Sequence, residues 1–518
     1  MEIVKQNMHL TCSKGKSISQ ITIDDDFNVP DVKEDVERII KYDGNVQMEQ
    51  MRLSEDRAGI KGKLVFRVLY GEGNAIHSIK GGIPFEELMN VEGLRPDDEA
   101  RLSYELEDLT ITLINSRKIS VKAVLTFTVE VERTQEEEAG IEIREDEDAQ
   151  YMTSRLIFTP IAIKTKDTCR IKDELELSGN KPDIAEILWD HAQLRSVEFR
   201  PMEGKLGLRG ELSLFVLYRA ADESNSLQWS EHTIPVDCAI ECSGCQEDMI
   251  PYVRLSLGGN DIEVRPDYDG EQRIFGIEYV IDMDICLYEE QQADIMNDVY
   301  SAVRDLEPVT KKIPYEQLLL RNSSKCRAAD RLKLKKEQPR ILQICNSSGS
   351  VRIDEVRVAE DGLNVEGAVY VSLLYAALDD KEPLQMMSGV LPFSHKIEVP
   401  GITPDCIWRL ECTLEQMSAV MINSEEIEIK AVISLDALIM KQMEAEIITD
   451  IMAKPYDMEK IQSLPGIVGY VVKPGDTLWK IAKNFYSTVD SIKAINELKD
   501  DKIRPGDRLV LMKKVEEL

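Results

Sequence analysis

The sequence predicts a mainly β chain: three tandem β-rich domains, sandwich- or barrel-like, followed by a small C-terminal α+β module of β-α-α-β order. Three observations carry this. The segment Gly62-Lys-Leu-Val-Phe-Arg-Val-Leu-Tyr70 returns as Gly210-Glu-Leu-Ser-Leu-Phe-Val-Leu-Tyr218 and Gly367-Ala-Val-Tyr-Val-Ser-Leu-Leu-Tyr375. Within each copy the apolar residues alternate, as in Leu64, Phe66 and Val68, which sets them on one face of a strand. At Gly466 the composition changes: ten Lys and Arg face eight Asp and Glu, a balance of +2 that leaves -34 of the chain's -32 to the rest.

A chain of 518 residues is too long for one ordinary core. With 63 basic against 95 acidic residues it should repel nucleic acid and anionic lipid, so neither is an expected partner. Residues 1–20 lack the apolar centre of a secretory signal, and no run of about 18 apolar residues could span a bilayer, so a cytoplasmic protein without membrane insertion is expected. Ten dispersed cysteines favour free thiols, and five scattered histidines show no metal-ligand spacing.

In chain order, the match extends upstream of the repeated strand without gaps at shifts of 148 and 305 residues. Phe27 and Val29 fall on Leu175 and Leu177, then on Leu332 and Leu334, at strand spacing. Val36, Ile39 and Ile40 fall on Ile184, Ile187 and Leu188, then on Ile341, Ile344 and Cys345; this i, i+3, i+4 spacing predicts one turn of amphipathic helix. Downstream, Pro84 and Gly93, Pro235 and Gly244, and Pro392 and Gly401 bracket an edge segment closed by a turn. Leu113-Ile114-Asn115-Ser116 and Met421-Ile422-Asn423-Ser424 predict matching β-hairpins, replaced in the second copy by a longer turn at 265–270.

The expected order is a first β-domain with an acidic connector (1–150), a second (151–300), a partly helical connector (301–327), a third (328–460) and the terminal module (466–518), the β-domains strung as beads. Glu136 to Glu138 and Glu145 to Asp148 read as a solvated acidic segment. In the terminal module, Tyr470-Val-Val472 reads as a strand and Lys473-Pro-Gly-Asp476 as a turn. Thr477 caps a helix striped by Leu478, Ile481, Ala482 and Phe485; a second helix follows at Val489, Ile492 and Ile495, then a last strand from Arg508 to Met512.

This pattern, Tyr470-x-Val472-x-x-Gly475-Asp476-Thr477-Leu478-Trp479-x-Ile481-Ala482 with Asn496 and Pro505-Gly506-Asp507-x-Leu509, resembles the LysM domain. The resemblance implies a shallow groove for N-acetylglucosamine glycans such as peptidoglycan, formed by Gly475, Asp476, Thr477 and Leu478 on one side and Leu498, Ile503 and Pro505 on the other. Tyr486 stands where that family usually has a helix-ending glycine, and Leu478, Trp479 and Ile481 serve equally as core residues. The three β-repeats are similar to the SPOCS domain of endospore coat proteins. Three such units before one LysM domain resemble clostridial spore coat morphogenetic proteins. That resemblance implies a non-enzymatic assembly factor at the forespore surface of the mother cell, bound to the coat-basement morphogenetic ATPase, with the LysM domain as docking module. Two alternatives remain: a peptidoglycan-binding protein of cortex or wall, and a phage-tail-like structural protein.

No catalysis and no cofactor are expected. Cys238-x-x-x-Cys242-x-x-Cys245 has the spacing of a radical-enzyme iron–sulfur site, but it falls on the ordinary Pro-to-Gly edge segment, where Cys238 matches His395. Lys14-Gly15-Lys16-Ser17 lacks the first glycine of a phosphate loop, Gly71-Glu-Gly73 lacks a third glycine and a helix, and Asp24-Asp-Asp26 reads as a solvated turn.

Overall fold

The computed structural model describes residues 1–223, 225–379, 381–456, 459 and 463–513. The first repeat holds β1 (Glu2–Asn28), β2 (Arg38–Ser54), β3 (Arg57–Glu72), β4 (Ala75–Asn90), β5 (Glu99–Asn115) and β6 (Lys118–Arg144). The second holds β7 (Ala149–Phe158), β8 (Ile161–Glu176), β9 (Ile184–Met202), β10 (Lys205–Ala220), β11 (Leu227–Glu241), β12 (Ile250–Pro266), β13 (Gln272–Tyr288) and β14 (Gln291–Ser301). The third holds β15 (Asp305–Lys333), β16 (Ile341–Ala359), β17 (Gly362–Ala377), β18 (Leu384–Glu398), β19 (Cys406–Asn423) and β20 (Glu426–Lys454).

Each repeat is an antiparallel sandwich of two three-stranded sheets: β1-β6-β5 with β2-β3-β4, β8-β13-β12 with β9-β10-β11, and β15-β20-β19 with β16-β17-β18. The thrice-repeated segment is the central strand of its sheet, β3, β10 and β17. Leu64, Phe66, Val68 and Tyr70 fill the sandwich, and the Tyr70 hydroxyl donates to the Glu34 carbonyl at 3.2 Å. Tyr218 and Tyr375 repeat the tie to Pro182 (3.2 Å) and Pro339 (3.1 Å), so each buried ring finds an acceptor one entry loop away. The edge strands tolerate Pro84, Pro235 and Pro392, and Gly93, Gly244 and Gly401 take the left-handed turn at φ of 76°, 84° and 78°.

The expected helical turns are strands. In β2, β9 and β16 one residue bulges out of the ladder: Ile40, Leu188 and Cys345 are skipped in the pairing. A bulge places two consecutive residues where one would fit, so both can be buried on different sides. Ile39, Ile187 and Ile344 pack on their own sandwich, while Ile40, Leu188 and Cys345 point away into a shared cluster. The i, i+3, i+4 pattern therefore arose from a strand with two dry faces. The connector expected to be partly helical is likewise extended, as β14 and β15. Asp24 and Asp26 lie along β1, not in a turn, and pair with Lys122 (3.0 Å) and Lys118 (2.6 Å).

Nor are the repeats beads. Beyond each sandwich an edge strand and the central strand of one sheet continue as a two-stranded ribbon: β1 with β6, β15 with β20, and β7 with β14, the last separated from its sheet at Thr159-Pro160. Equivalent residues of the three ribbons, Met8, Leu156 and Ile313 and then Leu10, Phe158 and Tyr315, converge in one core. A second shared core gathers Leu69, Leu217 and Leu374 from the reverse faces of the central strands, together with the bulged residues. The repeats thus surround a common axis with approximate threefold symmetry.

A ring of hydrogen bonds closes that arrangement. Thr11, Thr159 and Glu316 occupy equivalent positions and are 4%, 1% and 3% exposed. Each accepts from a backbone N–H of the next repeat: Thr11 from Ile161 (3.2 Å), Thr159 from Leu318 (2.9 Å) and Glu316 from Ser13 (2.7 Å). Beside it, buried Glu132 of the first repeat takes Arg409 of the third and Lys164 of the second, the latter at 3.1 Å. Burial opposes its ionisation, yet Arg409, Arg101 and Lys164 outweigh burial and hold its carboxyl below the ordinary range. The acidic segment is also less solvated than its composition suggests: Glu137 is buried and bound to Lys311 at 2.6 Å, and half-buried Asp146 pairs with Arg304.

Thr159→Val keeps the shape but orphans the Leu318 N–H, which should cost about 1–3 kcal/mol in urea unfolding. Glu316 behaves differently, because burial raises its pKa above the ordinary 4.5 despite the Ser13 N–H. A raised folded-state value favours the folded chain below the unfolded pKa and is lost as pH rises through the folded one. Glu316→Gln retains the acceptor, so its melting temperature should exceed wild type at pH 7 and match it near pH 4.

Candidate functional site

The terminal module comprises β21 (Ile467–Val471), α1 (Leu478–Asn484), α2 (Val489–Ile495) and β22 (Arg508–Met512). Leu478, Ile481, Ala482 and Ile492 pack on Val472, Leu509 and Leu511. Thr477 caps α1 by accepting from the Lys480 N–H, and Thr488 caps α2 through Ser491. Asn496 ties α2 to β22: its amide donates to the Val510 carbonyl at 2.8 Å and its oxygen accepts from the Val510 N–H at 2.7 Å.

Two loops are brought side by side by backbone bonds, Gly506 N–H to the Val472 carbonyl (2.8 Å) and Val472 N–H to the Asp507 carbonyl (2.9 Å). In the first loop Gly475 takes φ of 86°, and Asp476 accepts from the Lys473 N–H and the Tyr470 hydroxyl, both at 2.8 Å. These two bonds hold the Asp476 carboxyl below its usual range. Of the residues expected to line a groove, Gly475, Thr477 and Pro505 are exposed, while Asp476, Leu498 and Ile503 are half-buried. Leu478, 2% exposed, belongs to the module's core. The result is a shelf with exposed amide and hydroxyl groups over a partly apolar floor, suited to weak binding of acetamido groups or of a peptide.

Two further surfaces escaped sequence reasoning. The outer face of the β21–β22 ribbon carries Ile467, Val471, Val510 and Met512, from 44% to 62% exposed, around Gly469. The other surface is already occupied: the Trp479 indole N–H donates to Asp298 of β14 at 2.7 Å, Lys483 pairs with the same carboxylate, and Tyr300 enters the module's core edge-on to Trp479 at 4.8 Å. Tyr486, at the helix-ending position, takes φ of 54°, where glycine costs least, and its ring meets Tyr456 at 5.2 Å. The signal was the missing glycine. These contacts use α1 and its end, and leave Gly475, Thr477 and Pro505 exposed to solvent.

The cysteine motif is divided. Cys238 is joined to Cys169, which corrects the expectation of free thiols for that pair, and Cys242 and Cys245 are buried and free. Among the described residues no group of three His, Cys, Asp or Glu is arranged to hold a metal, and no helix is long and apolar enough to cross a membrane. Lys14 to Ser17 lie along β1, and Gly73 occupies the β3–β4 turn with φ of 53°.

Asp298→Ala should release the module from β14. Hydrogen bonds to a charged group are worth about 1.5–3 kcal/mol, so the undocked population should rise roughly ten- to a hundredfold. Faster amide exchange in α1, with β21 and β22 unchanged, is the expected readout.

The family model described as SipL, SPOCS domain, matches residues 35–114, 183–265 and 340–422, and the LysM domain model matches 470–511. The SPOCS matches begin just before β2, β9 and β16 and end in β5, β12 and β19, so β1, β6 and their equivalents complete each sandwich from outside the matched spans. Neither a curated protein nor a solved structure matches the chain.

Proposed function

Because the chain is a SipL-like protein of three SPOCS domains and one LysM domain, we propose that it is a non-enzymatic assembly scaffold of the spore coat, acting in the mother-cell cytoplasm at the forespore surface. Its fit to a sporulation coat protein follows from those domains, which are non-catalytic binding domains. In this reading the three repeats are a rigid platform, and the LysM domain docks the coat-basement morphogenetic ATPase. Gly475, Asp476, Thr477, Leu498, Ile503 and Pro505 form the contact groove, with Leu478 as its buried support.

The observation that supports docking of a protein is the apolar outer face of β21 and β22. A glycan site needs only the groove, whereas four exposed aliphatic side chains are costly in water unless a partner covers them. Peptidoglycan is the second reading, favoured by the exposed Gly475 and Thr477 beside half-buried Ile503.

Both readings are separated by binding assays on the full chain with the purified ATPase and with muropeptides or chitin oligomers. The scaffold reading expects ATPase capture that falls at least tenfold in Ile503→Asp and in Val471→Asp, with exchange protection of the three repeats unchanged and no glycan binding. Micromolar glycan binding with no ATPase capture would reverse the assignment.

A further inference from the structure

Each sandwich has two sides where an edge strand of one sheet faces an edge strand of the other; on one of them the pairs are β1 and β4, β8 and β11, β15 and β18. In the first repeat a hydrogen bond crosses it, from the Ser19 hydroxyl to Glu87 at 2.8 Å. In the third, Ser324 and His395 form the equivalent contact at 3.0 Å. Glu87 and His395 both stand three residues beyond the edge-strand proline, and in the second repeat that position is Cys238. Across from it on β8 lies Cys169, with the Cα atoms 6.5 Å apart and a sequence separation of 69. This separation lies within the span a disulfide bridges.

The two sulfurs differ in access. Cys169 is 5% exposed within the sandwich core, whereas Cys238 is half-buried on the outer strand. Cys242 and Cys245, which complete the apparent motif, are each 2% exposed and held by their own loop, where the Cys245 N–H donates to the Cys242 carbonyl at 3.0 Å. Eight cysteines in all are free. A chain made in a reducing compartment starts with every thiol reduced, and Cys169 and Cys238, already opposed across two strands, can be joined by oxidation without moving the fold.

We propose that Cys169 and Cys238 form a redox staple that locks the β8–β11 side of the second sandwich when the protein meets a peroxide. The Cys238 thiolate attacks the peroxide O–O bond, giving a sulfenic acid and, after protonation of the leaving oxygen, water. The Cys169 sulfur then attacks the sulfenic sulfur, and hydroxide leaves as a second water. Two thiols and hydrogen peroxide thus become one disulfide and two waters. The staple substitutes a covalent bond for the hydrogen bond that suffices in the first and third repeats, and by closing a 69-residue loop it restricts the unfolded chain.

Full-length protein, reduced and then treated with hydrogen peroxide, tests this by alkylation under denaturing conditions, peptide mapping and amide exchange. The expected result is eight alkylatable cysteines, a cross-linked peptide pair containing Cys169 and Cys238, and at least tenfold slower exchange in β8 and β11 than in the reduced chain. Cys238→Ser should abolish the difference and Cys242→Ser should keep it. Should the serine variant fail to fold, the comparison of reduced and oxidised wild type decides alone. A full set of ten alkylatable thiols after peroxide, a bond from Cys238 to Cys242 or Cys245, or equal exchange in the two states would overturn the proposal.

Discussion

The fold depends on three side chains that never leave the axis. Thr11, Thr159 and Glu316 each reach across to the backbone of the next repeat, so that the first repeat holds the second, the second the third and the third the first. Loosening any one contact leaves a buried backbone N–H without its acceptor. It sits where β1, the β7–β8 junction and β15 pass from sandwich to ribbon, and so also sets the angle between them. Above and below, the ribbon core and the central-strand core fill the axis with equivalent apolar residues.

Approximate symmetry is also where the repeats diverge. Lys41, Trp189 and Asn346 hold one equivalent position near the axis, and all three are buried. The Lys41 ammonium reaches the Ser372 hydroxyl at 3.3 Å and lies over the Trp189 ring at 5.6 Å, while Arg67 covers the same ring at 4.6 Å and pairs with Asp190. Three identical lysines there would repel in a low-dielectric centre. A single lysine at this position, with an aromatic ring and an amide at its two equivalents, makes the three copies non-interchangeable.

The LysM domain is an extension of this assembly more than a tethered bead. Its core takes in Tyr300 from β14, and Asp298 accepts from both Trp479 and Lys483. Tyr486 accepts a left-handed backbone for a ring contact that glycine could not make. The departure from the family pattern therefore has a structural use: it packs the end of α1 against Tyr456.

Much was legible in the chain itself. Alternation at Leu64, Phe66 and Val68, the glycine after each edge strand, the Asn-Ser turns and the capped helices of the LysM domain are encoded within a few residues, because backbone geometry and side-chain period are local. Local period also misled, since the bulges at Ile40, Leu188 and Cys345 bury consecutive residues on two faces and so imitate a helix. What only the tertiary structure decided is which surface covers which. Thr159 looks like any strand threonine until Leu318 arrives beside it, Cys238 like part of a metal motif until Cys169 faces it, and Trp479 like plain core until Asp298 takes its N–H. Those partners lie roughly 70 to 180 residues away, and no pattern in the chain measures that distance.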